Sequence, residues 1–523
     1  MVDLVIRDAV VHVGDGSPGR RADVAVAGGL IYGVEHSLED AVAEVVVDGS
    51  GLLLCPGFVD LHAHSALASF DDPLLQPKIG QGFTTEVINP DGLGPAPVAP
   101  ERRDDRQRYL RALEGGGPET WPWTTVTEYL DALDATRPAT SLVPSVPHGA
   151  VRDLVLGGAD VMPSTEQLRE MRRQVRLGFE AGARMLSFGL VYLPAAYARR
   201  DELVEMAQEA AAVGAPLVPH VRNEGAGLLA AVEEMLDVAR ATGAPLHVSH
   251  LKSLAGEQLV EPVLELLDGA SRDLPVTFDQ YPYGAGSTVL ASILPAWAQE
   301  GGAGATLARL GDAEARRRIR ADVEGGLPTW ENILGTLGPE RIEIANAGPP
   351  NEDAVGRTLA EIANDRGASP LDTAVDLLAE SALDVTMILH YASEDAVRTI
   401  AAHGLQLVGS DGIFGARPHP RLYATAARFL GRFALRDGLL PVEEAVARLT
   451  GRAAHLLGLA DRGMIEPAKR ADLVLLDPGA YADTATYAEP IQTPPGVVGV
   501  WVEGRRVWHD GRPTGERPGG VVR

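Results

Sequence analysis

Cysteine is nearly absent from this chain of 523 residues: Cys55 is the only one. An internal disulfide is therefore impossible, and so is a zinc site built from cysteines. Any metal must be held by nitrogen and oxygen. Lysine is almost as scarce, with Lys78, Lys252 and Lys469 against a background of arginine. Compositional bias accounts for most of that. Lys252, two residues after His250, still stands out as a position where arginine does not serve. Positive charge is outweighed overall: 46 Lys and Arg face 72 Asp and Glu, for a net charge of −26. Such a chain repels nucleic-acid phosphates and anionic lipid, so neither is an expected partner. No apolar run approaches the ~18 residues of a membrane span. The N-terminus, Met1 to Asp8, alternates in polarity and has no signal-type apolar block. The expectation is a soluble, cytoplasmic protein.

What is present is alternation of strand and helix. Residues 1–56 read as short strands with turns, among them Val2 to His12 and Ala22 to Val26. Residues 461–523 have the same character, with strands at Ala471–Asp477 and Val497–Gly504 and a return strand over Arg505–His509. Two strand-rich ends around a mixed centre predict a small β-sandwich domain built from both termini. The centre, 57–460, predicts an α/β fold, a TIM-like (β/α)8 barrel. Its candidate strands are 57–64, 83–88, 141–146, 184–190, 216–220, 245–250, 276–281 and 405–411. Helical spacing appears at 166–181, 201–213 and 228–242. The gap before the last strand is too long for one helix, which predicts an inserted lobe over about 285–347.

The chemistry gathers at strand ends. His62 and His64 alternate along an extended segment, so both side chains share one face. His220, His250 and Asp411 each end a separate apolar run. Active sites of parallel barrels form at that end. A buried imidazole cluster without an ion leaves unpaired polar groups at ~1–3 kcal/mol each. The set therefore points to a metal centre, and its donors suit Zn²⁺.

This arrangement resembles the amidohydrolase superfamily, and within it the N-acyl-D-amino-acid deacylase (D-aminoacylase) family. The similar segments run almost end to end. They include Pro56-Gly57-Phe58-Val59-Asp60-Leu61-His62-Ala63-His64, Gly82-Phe83-Thr84-Thr85, and Trp123 to Leu130. Ser187 to Pro194, Ser249-His250-Leu251-Lys252, Asp279 to Thr288 and His419-Pro420-Arg421 continue the likeness. The tail segments Ala460–Ile465 and Ala471–Val474 are shared more widely among amidohydrolases. One departure stands out. The family carries a bridging cysteine in an Asn-Cys-Gly turn after the second strand, and here the aligned residues are Pro90-Asp91-Gly92. Asp91 thereby takes the bridging position, where its two oxygens serve one or two divalent ions; its bland reading is the start of a turn with Gly92. A carboxylated lysine is not an alternative, because no lysine ends the fourth strand. The oxygen donor admits Mn²⁺ or Co²⁺ beside Zn²⁺.

The resemblance implies a metal-dependent hydrolase that splits an N-acyl amino acid, of D configuration, into a carboxylate and a free amino acid. Metal ligands would be His62, His64, Asp91, His220, His250 and Asp411. Asp411 would shuttle the proton, and Tyr192 would polarise the carbonyl. Lys252, Tyr281, Ser287 and Arg421 would bind the substrate, Arg421 as a clamp on its carboxylate. Arg222 and Glu224 read equally as support for the site or as a surface ion pair. His148 reads as orienting a ligand or lining the pocket, and His247 as a core histidine. A cyclic-amide hydrolase of the dihydroorotase or hydantoinase kind is the runner-up, and a non-catalytic barrel scaffold is the remaining alternative. The expected partner is a small carboxylate-bearing amide; assembly into a homo-oligomer is left open.

Overall fold

The computed structural model of the protein describes residues 1–38, 41–327 and 330–523. Residues 39, 40, 328 and 329 fall inside the expected N-terminal and inserted segments and lie outside the described residues. The centre is carried by two parallel sheets. One holds the strands Phe58–Asp60, Phe83–Ile88 and Ser141–Pro144. The other holds Val146–Pro147, Leu186–Gly189, Leu217–His220, Leu246–Val248, Val276–Gln280 and Gln406–Val408, in that spatial order. The sheets meet at Ser145, whose N–H and hydroxyl both donate to the Ile88 carbonyl, at 3.1 and 2.7 Å. They meet again at the opposite side, where the Leu61 N–H donates to the Val408 carbonyl at 3.2 Å and Ala63 bridges Gly412 in parallel. The first strand thus touches both the second and the last.

Phe83–Ile88, Ser141–Pro144, Leu186–Gly189 and Leu217–His220 are buried along their whole length, as parallel strands covered by crossover helices must be. Each expected run contains an observed strand, most of them shorter. The reason lies at the ends that carry chemistry. His62 and His64 follow the ladder residue Asp60, and His250 and Asp411 leave the ladder with φ of 34° and 48°. The segment carrying His62 and His64 stays hydrogen-bonded to its neighbours: the Ala63 N–H donates to the Val87 carbonyl, and the His62 carbonyl accepts the Asp411 N–H. These side chains are thus held from both sides.

The crossover helices follow the apolar spacing. Leu228–Thr242 buries Leu228, Ala231, Val232, Met235, Leu236 and Ala239, a stripe at intervals of three and four, and ends at Gly243 with φ 77°. Thr165–Glu180 starts from a capping box between Ser164 and Gln167. It buries Met171 and Val175, whereas Leu177 is 39% exposed.

The chain leaves the parallel strands between Val276–Gln280 and Gln406–Val408. There it builds an antiparallel sheet of Ala285–Val289, Val385–His390 and Ile342–Ala347, with helices among them. Val385–His390 is the central strand, so this excursion continues past the expected limit at 347. The two termini share one nine-stranded sheet, joined where Leu473–Leu476 pairs antiparallel with Leu53–Pro56. Leu4, Ile6, Val24, Leu473, Leu475 and Trp501 come from both termini into one apolar cluster. No helix among the described residues is long and apolar enough to cross a membrane.

One charged knot ties the first parallel strand to the end of the last. Lys78 is fully buried, and its ammonium donates to Asp60 Oδ2 and to Ser410 Oγ, both at 2.7 Å. Asp60 Oδ1 accepts the N–H groups of Ser410 at 2.7 Å and His62 at 3.2 Å. The knot therefore pins the residues beside His62 and Asp411. Removing one partner of a buried pair strands the other, at about 3–5 kcal/mol. Lys78→Met is expected to lower the unfolding free energy by that amount. Urea denaturation measures it, and a loss under about 1 kcal/mol would contradict the account.

Candidate metal centre

Asp91 follows the second strand in a left-handed turn, with φ 56° at Asp91 and 63° at Gly92. Such backbone is costly for a residue with a Cβ and persists only where the surroundings enforce it. Here two contacts enforce it. The Gly92 N–H donates to Ser187 Oγ at 2.6 Å. Gly189 lies directly under the turn, and a Cβ there would overlap the Asp91 carbonyl. The bare fourth strand lets the turn press inward, and the carboxylate arrives among four imidazoles.

Its two oxygens face different partners. Asp91 Oδ2 is 3.4 Å from His62 Nε2 and 3.7 Å from His64 Nε2. Asp91 Oδ1 is 3.4 Å from His250 Nε2 and 3.7 Å from His220 Nδ1. Asp411 Oδ1 joins the first pair, 3.1 Å from His64 Nε2 and 3.7 Å from His62 Nε2. Two ligand groups can thus be drawn, His62–His64–Asp91–Asp411 and Asp91–His220–His250, each with donor atoms within 4.8 Å of one another. All six side chains are buried. Two ligands bonded to one ion at ~2.1 Å with tetrahedral angles stand about 3.4 Å apart, close to these separations. His62 Nδ1 and Nε2, Asp91 Oδ1 and His220 Nδ1 form no hydrogen bond. Orphaned atoms that converge so tightly are what a cation would satisfy.

Neighbouring groups leave the facing nitrogens free. Glu114 Oε1 is 2.7 Å from His64 Nδ1, so a proton held there turns the lone pair of Nε2 toward the cluster. Burial disfavours the charged imidazole, whereas Glu114 and Asp411 raise the His64 pKa to about 10, so a cation taken up at Nε2 would displace a proton from it. Glu224 Oε1 stands 3.1 Å from His250 Nδ1 and accepts from Lys252 Nζ at 2.6 Å. Burial would raise the Asp91 carboxyl, but the imidazoles of His62, His220 and His250 hold it well below the usual range. His250 is braced from behind: Asp279 Oδ1 accepts its N–H at 2.9 Å, and Asp279 Oδ2 is 3.0 Å from His247 Nε2.

The cluster opens on a cavity of about 730 Å³, a size that suits a small-molecule substrate. Tyr192, Lys252, Tyr281 and Ser287 line it with His64, Asp91, His220, His250 and Asp411. The Tyr192 hydroxyl is 2.9 Å from Thr288 Oγ1, and burial together with the Asp91 charge raises its pKa well above the usual value, so it stays an O–H donor. Arg421 sits elsewhere than a clamp at the cavity surface would. It is fully buried, its guanidinium 4.4 Å over the Tyr281 ring, with Nη1 3.0 Å from Asp411 Oδ2 and Nη2 donating to the Ser287 carbonyl. Arg222 and Glu224 do not pair with each other. Arg222 binds Glu234 at 2.9 Å, and Glu224 is buried beneath Lys252. His148 faces Glu202 at 2.9 Å and is not part of the lining.

Sequence reasoning passed over Glu114 and Glu331. Glu114 closes the helix Arg103–Glu114, whose charged run RDDRQRYLRALE carries no sign of a buried end. Glu331 lies in the lobe and gives Oε1 to the Glu224 N–H at 2.6 Å. Neither position has a motif around it.

Parallel strands joined in sequence order, with histidines and carboxylates gathered at their C-terminal ends, define a metal-dependent hydrolase of the α/β class. The chain belongs to the amidohydrolase family, whose model matches residues 45–508. It is 33% identical to the D-aminoacylase of Alcaligenes xylosoxydans xylosoxydans over 524 residues, which span 99% of this chain and 97% of that one. It is 32% identical to the N-acyl-D-aspartate deacylase of the same organism, over 99% of this chain and 95% of the relative. Among solved structures it is similar to the N-acyl-D-glutamate deacylase of Bordetella bronchiseptica, which was crystallised with zinc and a phosphonate inhibitor. The TM-score is 0.85 at 32% identity, over 100% of this chain and 99% of the other.

Glu114→Gln should weaken metal binding about 10- to 100-fold, as loss of a partner to a ligating histidine does. Zinc titration of the metal-stripped protein measures it. An unchanged affinity would mean that Glu114 does not set the His64 tautomer.

Proposed function

We propose that this chain hydrolyses the amide bond of N-acyl-D-amino acids, giving a carboxylate and a free amino acid. The observation that carries the reading is Asp91 held between two histidine pairs at the floor of the cavity. Similarity to named deacylases along the whole chain supports it over a cyclic-amide substrate. We also propose that the two parallel sheets form one closed (β/α)8 barrel within 57–460. Residues 1–56 and 461–523 would fold over their shared apolar cluster as a sandwich. Supporting the barrel are the hydrogen bonds that link the first strand to the second and the last.

His62, His64, Asp91 and Asp411 would hold one divalent ion, and Asp91, His220 and His250 a second. Zn²⁺ fits the donor set, with Mn²⁺ or Co²⁺ admitted by its oxygens. When bound, such an ion supplies Lewis acidity and a water acidified to near neutral pH. The protein's own groups do the rest. Asp411 takes the proton of the attacking water and passes it to the leaving nitrogen. Arg421, 3.0 Å behind Asp411 Oδ2, fixes that carboxylate's orientation. Tyr192 donates its O–H to the oxygen that gains charge as the carbonyl is attacked. Lys252, Tyr281 and Ser287 line the wall where the substrate carboxylate binds, with the Arg421 charge behind Tyr281.

A panel of N-acetyl D- and L-amino acids, assayed with Zn²⁺, Mn²⁺ or Co²⁺, tests the reading. Turnover of D-substrates is expected, and its absence with every metal sinks the proposal. Asp411→Asn should abolish turnover while the fold is retained; a near-wild-type rate removes the shuttle. Tyr192→Phe should lower kcat about 10²- to 10³-fold. An unchanged kcat would assign the oxyanion to other groups.

A further inference from the structure

We infer that Glu331 is a specificity-determining residue: it excludes acidic side chains, and the lobe wall beside it receives a large apolar one. The inference rests on the deacylase reading and names its substrate class. The wall is made by the excursion between the last two parallel strands. Trp297, Leu327, Trp330 and Ile333 line the cavity from that side, and Leu254 faces it from the loop after the sixth strand. These are apolar surfaces large enough to cover a leucine- or tryptophan-sized group.

Charge decides what else can enter. Each cation in or behind the inner wall already has a carboxylate. Lys252 is 2.6 Å from Glu224, Arg222 is 2.9 Å from Glu234, and Arg421 is 3.0 Å from Asp411. Arg199 and Arg200 also line the cavity but stand exposed, at its mouth. Glu331 is 9% exposed and has no cation within ion-pair distance among the described residues. It accepts the Glu224 N–H at 2.6 Å, and the Gly225 N–H and the more distant Lys252 charge also favour its carboxylate. Burial, with the neighbouring Glu224 charge, lifts its pKa to about 7. A second carboxylate brought beside it would meet the Glu224 charge and a Glu331 carboxyl already raised by it, and no unengaged cation. An apolar side chain would leave the Glu331 hydrogen bond in place and cover the aromatic wall.

Steady-state kinetics of the zinc-loaded full chain test this with N-acetyl-D-leucine, -D-tryptophan, -D-glutamate and -D-lysine. The leucine and tryptophan compounds should exceed the glutamate compound in kcat/KM by at least about 100-fold. Glu331→Gln keeps an acceptor for the Glu224 N–H, so a merely structural role would leave the leucine-to-glutamate ratio unmoved. The expected result is a fall in that ratio of at least about tenfold. An unmoved ratio, equal or better use of the glutamate compound, or preference for the lysine compound over leucine each overturns the inference. Calorimetric binding of the same four compounds separates the two readings. Were none turned over, the deacylase reading would fall alone. Tighter binding of the apolar compounds, weakened in selectivity by Glu331→Gln, would still sustain the role of Glu331. Equal binding of all four, or none, would end it.

Discussion

One carboxylate organises the centre of this molecule. Asp91 has an imidazole pair on each side, and each of its oxygens lies 3.4–3.7 Å from two ring nitrogens. That position follows from backbone more than from side-chain reach. The left-handed turn at Asp91 and Gly92 exists because Gly189 offers no side chain and Ser187 offers a hydroxyl. The fourth strand, which contributes no ligand of its own, therefore decides where the ligand after the second strand points. Its fifth-strand partner completes the arrangement: Gly189 pairs with His220, which brings that imidazole beside the turn.

Several buried charges have to be held still around this carboxylate. Two networks do so from opposite sides. Lys78, Asp60 and Ser410 anchor the backbone that leads into His62 and Asp411. Glu224 reaches from the loop after His220 to Lys252 and His250, and its carbonyl accepts the Leu254 N–H at 2.8 Å. Each network ties two strand ends together, so the ligand positions move as a unit or not at all. Such pre-organisation suits a site whose ligands sit within a few tenths of an ångström of coordination spacing.

The parts of this design visible in sequence are those where chemistry abuts an apolar run. His62, His64, His220, His250 and Asp411 end such runs, and the structure brings all five within the cluster. Asp91 needed a family likeness, because an Asp-Gly turn by itself carries no signal beyond the turn. Glu114 was illegible for a different reason. It closes a strongly charged helix, and only the docking of that helix end buries the carboxylate. Val385–His390 was missed because its partners lie about forty and a hundred residues away in sequence. Local periodicity cannot separate such a lone apolar run from a buried piece of helix. Arg421 shows the limit of motif transfer. The position was legible, but its burial beneath Tyr281 and against Asp411 was not.

The lobe explains why the two halves of the cavity differ in kind. The strand ends supply groups whose charges are paired and braced, as a reaction centre requires. The excursion before the last strand supplies Trp297, Leu327, Trp330 and Ile333, which have little to do with proton movement. Glu331 is where the two halves touch, because it is carried by the lobe and bonded to the backbone of Glu224. A substitution in the lobe can therefore change which side chain fits without moving a metal ligand, provided that one hydrogen bond survives. If it is lost, the Glu224 backbone keeps only its carbonyl tie to the Leu254 N–H, and the grip of its carboxylate on Lys252 and His250 loosens. Selectivity and catalysis are separable in this fold only up to that contact.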